Sequence, residues 1–156
     1  SDRTLTSTTA AQKIFDVGVN GGLTLPVGFY EFDAKVYLSS MSGTSGNAGL
    51  SIEGAGTATV NKVMQGAIGR DANTATAVGS ISGSGADTEA IIGPVITASA
   101  NTGLFTWWTG FFQVSVAGTI IPSILLDTAA TPTMEAGTYF TCRKLGTSAS
   151  SNGPVA

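Results

Sequence analysis

Apolar residues in this chain recur at every second position, and nowhere do they keep a 3.6-residue period through three turns, which confines the fold to strands. Residues 29–40, FYEFDAKVYLSS, carry the pattern most plainly: Tyr30, Phe32, Ala34, Val36 and Leu38 fall on one face, and Glu31, Asp33, Lys35 and Tyr37 on the other. Similar short segments, rich in β-branched residues and bounded by Gly, Ser, Asn or Pro, lie near 12–19, 48–53, 57–65, 74–82, 90–98, 104–117, 119–126 and 137–145. About eight such strands with glycine-marked turns predict an all-β chain, an antiparallel β-sandwich arranged as a jelly roll. SSMSGTSGNAG (39–49) and GSISGSGAD (79–87) read as loops or hairpin ends. No internal repeat or linker divides the 156 residues, so one domain is expected over 1–146, with 1–8 as an N-terminal arm and 147–156 as a flexible or anchoring tail.

Charged residues make up 11% of the chain, against roughly 25% in ordinary soluble domains. The surface is therefore built from Ser, Thr, Gly and Asn, which suits packing against further copies, because few charges need desolvating on contact. A net charge of −3 with seven scattered basic residues argues against a nucleic-acid partner, which requires clustered Lys and Arg to displace counterions. No run approaches the ~20 apolar residues of a membrane-spanning helix. Ser1-Asp2-Arg3-Thr4 has no apolar core of signal-peptide length, so synthesis in the cytoplasm with removal of the initiator Met is expected. The single cysteine, Cys142, is expected to be a small buried hydrophobe.

Zero histidines remove the commonest general base and metal ligand, and with them the Ser/His/Asp and Cys/His triads and the usual zinc sites. Carboxylate chemistry survives that deletion. Glu31 and Asp33 share one strand face, about 6.5–7 Å apart at Cα, within glycosidase range; but Lys35 stands beside them on the polar face, and a solvated intrastrand ion pair is the expectation. Asp71-Ala72-Asn73 lacks the glycine turn and downstream Glu of a calcium loop, and Gly83-Ser84-Gly85 lacks the Lys-Ser/Thr of a phosphate loop. No catalytic, cofactor or metal site is expected, and the chain reads as a non-enzyme.

Residues 103–127, GLFTWWTGFFQVSVAGTIIPSILLD, hold both tryptophans and three of the seven phenylalanines. One face of the strand carries Leu104, Thr106, Trp108, Gly110, Phe112, Val114 and Val116; the other carries Phe105, Trp107, Thr109, Phe111, Gln113, Ser115 and Ala117. A sandwich buries only one of these faces. Phe105, Trp107 and Phe111 therefore require a second cover, and with no helix to supply a third layer, another subunit is the expected one. The competing expectation is a central strand under a long loop.

AAQKIFDVGVNGGLTLPVGFYEFDAKVYL (10–38), GTATV (56–60), FQVSVAGTIIPSILLD (112–127) and AGTYFTCRKLG (136–146) together resemble, over roughly 8–146, a module that recurs in tailed-bacteriophage virion proteins. That module has a Thr/Ala-Ala-Gln opening, an aromatic-Glu-Phe-Glu/Asp strand, a Gly-Thr-Ala-Thr strand, a Gly-Thr-x-x-Pro segment and a closing Ala-Gly-Ser/Thr-Tyr-Phe strand. The resemblance implies a jelly roll that forms homotrimers similar to tumour-necrosis-factor-like and C1q-like knobs, on the virion surface. The module begins within the first ten or so residues, with no fibre shaft before it, which favours a capsid decoration or cement protein or a head appendage. Its expected partners are other copies of itself and the major capsid protein or another virion protein. The alternative is a knob that binds a host-surface glycan through exposed aromatics and loops such as 43–49 and 71–74.

Overall fold

In the computed structural model of the chain, residues 2–6, 9–16, 21–42, 46–71, 77–83, 95–98, 103–126 and 128–147 are described. They form β1 (Arg3–Thr4), β2 (Gln12–Lys13), β3 (Leu23–Leu25), β4 (Gly28–Ser39), β5 (Gly46–Ala55), β6 (Thr59–Asp71), β7 (Ala77–Gly83), β8 (Val95–Ala98), β9 (Gly103–Val116), β10 (Gly118–Leu126), β11 (Thr133–Met134) and β12 (Tyr139–Gly146). Eight of these strands have four residues or more. No described residue is helical.

The strands make an antiparallel sandwich. One sheet has seven strands in the order β1-β11-β4-β9-β6-β7, with β12 beside β11 along the same edge of β4; the other has five, β2-β10-β5-β8, with β3 also on β10. The chain changes sheet between β1 and β2, after β3, β4, β5 and β7, and again after β8, β9 and β10. This repeated crossing between two sheets is jelly-roll connectivity, to which β6 and β7 add a hairpin alongside β9.

β4 alternates as its sequence requires, with Tyr30, Phe32, Ala34, Val36 and Leu38 buried. They meet Leu50 and Ile52 of β5, Ile120 and Ile124 of β10, and Trp108 and Phe112 of β9 in one core. The Phe32 ring lies edge-on to Trp108 at 5.0 Å and stacks on Phe140 at 5.3 Å. Trp108 is completely buried, and its indole Nε1 donates to Gln65 Oε1 at 2.9 Å, the pairing a buried indole needs. Gly110 makes room for the Phe32 ring: a Cβ there would lie 2.9 Å from Phe32 Cε1 and 2.2 Å from the Met64 carbonyl oxygen.

Two bulges decide which side chains reach the outer face of the seven-stranded sheet. On β9, Thr59 pairs with Val116 and Val60 with Val114, so Ser115 is an extra residue. Val116, expected on the core face, consequently points outward and is exposed. On β6, the register slips between Asn61 and Met64 around Lys62, which has φ +48°. That slip turns Val63 and Gln65 inward and sends Met64 and Ile68 out.

Other boundaries also differ from the sequence reading. Among the described residues, the segment expected near 12–19 is a strand at Gln12–Lys13; the Ile14 N–H still donates to the Pro122 carbonyl at 2.9 Å, in register with that pairing, but proline has no N–H to return. β5 starts at Gly46 and β7 runs to Gly83, inside segments expected to be loops. Residues 3–4 of the expected arm are a sheet edge, held by an Asp2 carboxylate accepting from the Ala136 N–H at 2.8 Å and by burial of Leu5. The expected tail beyond 147 lies outside the described residues.

Candidate functional site

The candidate site is the outer face of β12, β4, β9 and β6. Strand registers place outward residues of these four strands opposite one another in three rows: Arg143, Glu31, Phe111 and Met64; then Thr141, Asp33, Thr109 and Gly66; then Tyr139, Lys35, Trp107 and Ile68. Beyond the last row, Tyr37 lies opposite Phe105, their rings edge to face at 6.2 Å. A row of small and polar residues is thus flanked by rows of large ones.

All three residues expected at a subunit contact are on this face and exposed: Phe105 by 47%, Trp107 by 54% and Phe111 by 39%. Their inward neighbours Leu104, Trp108 and Phe112 are fully buried. β9 is a central strand between β4 and β6, and among the described residues no loop lies over its outer side. Tyr37, Met64 and Ile68, not singled out from sequence, extend the patch. The Lys62 bulge, which has no signature in the sequence, sets the face of Met64 and Ile68. Given ~150–250 Å² for an aromatic side chain, these six half-exposed residues leave on the order of 600–700 Å² of apolar surface in water. That is at or above the ~300–600 Å² of the largest patch on a typical monomer and near the ~800 Å² each partner contributes to a stable contact.

The carboxylates here are not the solvated intrastrand pair expected with Lys35. Glu31 instead pairs across strands with Arg143, whose Nε donates to Glu31 Oε1 at 2.8 Å and whose Nη2 lies 2.5 Å from the same oxygen. Asp33 accepts from the Tyr139 hydroxyl at 2.7 Å and from Trp107 Nε1, and Lys35 Nζ sits 5.7 Å from the Tyr139 ring centroid. The intrastrand pairing loses because side chains on the neighbouring strand stand closer than those two residues along the same strand. The bond to the Asp33 carboxylate holds the Tyr139 phenol above its ordinary pKa, since ionisation would set two anions side by side.

Across the Arg143 and Thr141 rows lies a hollow of about 550 Å³, lined by Glu31, Asp33, Thr109, Phe111, Arg143 and Leu145 among others, with Cys142 beneath it. Thr109 Oγ1 donates to the Phe32 carbonyl at 3.0 Å and Thr141 Oγ1 to the Asp33 carbonyl at 3.3 Å. Cys142 is half-buried rather than fully buried, and burial pushes its thiol pKa up, keeping the sulfur neutral. Among the described residues no three His, Cys, Asp or Glu side chains come together as a metal site. Of the loops expected to meet a glycan, residues 46–49 are in β5 and Asp71 ends β6; residues 43–45 and 72–74 lie outside the described residues.

No family model, curated protein or solved structure matches the chain.

Proposed function

We propose that this chain is a non-enzymatic structural protein of a bacteriophage virion, a homotrimer that decorates or cements the capsid or stands on the head as an appendage. The observation that carries the self-association is the uncovered aromatic face of Phe105, Trp107 and Phe111. The virion setting and the three-fold state rest on the sequence resemblance over residues 8–146, and the acidic pI of about 4.6 agrees with a position away from packaged DNA. The mechanism is added contact: a trimer bridging neighbouring capsomers binds only the assembled shell and so opposes its separation by mass action.

A second reading, a knob that binds a host-surface glycan, is favoured by the hollow, where the carboxylates of Glu31 and Asp33 and two threonine hydroxyls lie beside the Phe111 ring. Hydroxyl-rich ligands suit such acceptors, and ring CH faces suit the aromatic wall.

Electron microscopy of purified particles, with the chain identified by a labelled antibody, separates these readings. Density at three-fold or quasi-three-fold points of the capsid is the expected result. Density confined to the tail overturns cementing and favours the knob.

A further inference from the structure

Resting on the self-association reading, we infer that the contact between copies is a knob seated in a hole: Trp107 of one copy enters the β12–β4–β9 hollow of the next. Each part is already formed within one copy. Trp107 projects from the face, and its only polar atom is spoken for, because the indole Nε1 donates to Asp33 of its own chain. The ring can therefore enter a dry site without stranding a donor, and with its orientation fixed it loses little freedom on docking.

The hollow has the shape and chemistry to receive it. At about 550 Å³ it falls in the size range that accepts a ligand larger than one indole. Phe111 and Leu145, both exposed, supply apolar walls, and the small Thr109 and Thr141 keep its centre open. The Arg143 guanidinium, fixed by Glu31 on one edge, lines the hollow, and a guanidinium is a favourable neighbour for an indole ring. Knob and hollow occupy different parts of the same face, so every copy presents one of each. A contact made of two unlike patches can pass head to tail, and three copies close into a ring where the rotation between neighbours is a third of a turn. The area left in water, close to what one partner contributes to a stable contact, marks a second copy of this chain as the occupant rather than a small ligand.

The test uses the whole chain. Sedimentation equilibrium from nanomolar to tens of micromolar is run on the wild type, on Trp107→Ala, which removes the knob, and on Thr141→Trp, which fills the hole from an exposed position. Leu145→Asp, at the exposed wall, stands in if Thr141→Trp does not fold as judged by circular dichroism. Trimers are expected for the wild type, with association weakened about 30-fold or more in each variant, as for hot-spot residues. An equimolar mixture of the two variants is expected to form one-to-one pairs, because one intact knob then faces one intact hole.

If Trp107→Ala disperses the trimer while the hole variants associate like the wild type, the seat is overturned and the self-association reading survives. A wild-type monomer throughout overturns both. A dimer sensitive to knob and hole variants alike supports the seat and overturns only the three-fold state.

Discussion

Asp33 and Trp107 sit one step apart diagonally across the β4–β9 ladder, and the carboxylate of the first holds the indole of the second. Both residues lie on the outer face, so the bond contributes little to folding and chiefly sets where the indole points. Asp33→Ala is expected to leave the sandwich folded while weakening association about fivefold, the worth of one ordinary hydrogen bond of about 1 kcal/mol. The same substitution made in a Trp107→Phe background, which has no N–H to lose, should change association far less. Equal losses in both backgrounds, measured by sedimentation, would show that Asp33 acts other than through Trp107.

Glu31 behaves differently although it shares Asp33's strand face. Its pair with Arg143 is exposed on both sides, and such pairs are worth about 0–1 kcal/mol. Glu31→Gln is expected to shift the thermal midpoint by no more than a few degrees, and the shift should shrink further in 0.5 M salt. A large, salt-independent drop would mean that the ion pair is structural.

Alternation made β4 legible residue by residue, since five apolar side chains at even positions leave one way for the strand to face. The same rule separated Trp107 from Trp108. It failed at Val116 and assigns no face to Met64 and Ile68, because a bulge inserts one residue with no side-chain signature and reverses every face beyond it. The end of β7 falls within the 79–87 stretch expected as a loop or hairpin end, because its Gly and Ser content leaves no strand pattern in the sequence. The partners of Glu31 and Asp33 were not legible either. Arg143 and Tyr139 are more than a hundred residues away along the chain, and only the β4–β12 register brings them near.

Gly110 tests the packing beneath the candidate site. A methyl group there meets a backbone carbonyl, which cannot swing aside as a side chain tip can. Gly110→Ala is expected to cost about 2–3 kcal/mol, at the upper end for overpacking a core. The urea midpoint should fall with the slope unchanged. A midpoint equal to the wild type would mean that β6 and β9 separate freely at Gln65.

The two shifted tyrosines predict alkaline lability. Tyr139 is raised above 10.0 by its bond to Asp33, and Tyr30 by burial foremost. In each case the folded chain holds the proton more tightly than the unfolded chain. Their contribution is therefore complete below the unfolded value near 10 and is lost as pH rises through the folded values. Urea unfolding is expected to show lower stability at about pH 11 than at about pH 9. In Asp33→Asn, absorbance titration at the phenolate band should show Tyr139 ionising at lower pH, because the neighbouring anion is gone. An unchanged Tyr139 titration would rule out that carboxylate as the cause.

The adjacent tryptophans divide folding from assembly. Trp108 is fully buried against Phe32, and its Nε1 donates to Gln65 Oε1 in the core. Trp108→Ala is expected to cost about 3–5 kcal/mol, since it opens a cavity and strands the Gln65 acceptor. Trp107 is exposed, so Trp107→Lys should unfold at nearly the wild-type temperature. It should nevertheless stay monomeric, because an ammonium placed in a dry apolar contact loses its water and gains no partner. Thermal unfolding and light scattering on the two variants decide the matter. A Trp107→Lys chain that assembles normally would move the subunit contact off this face, whereas a Trp108→Ala chain with an unchanged midpoint would deny that β9 points its second tryptophan into the core.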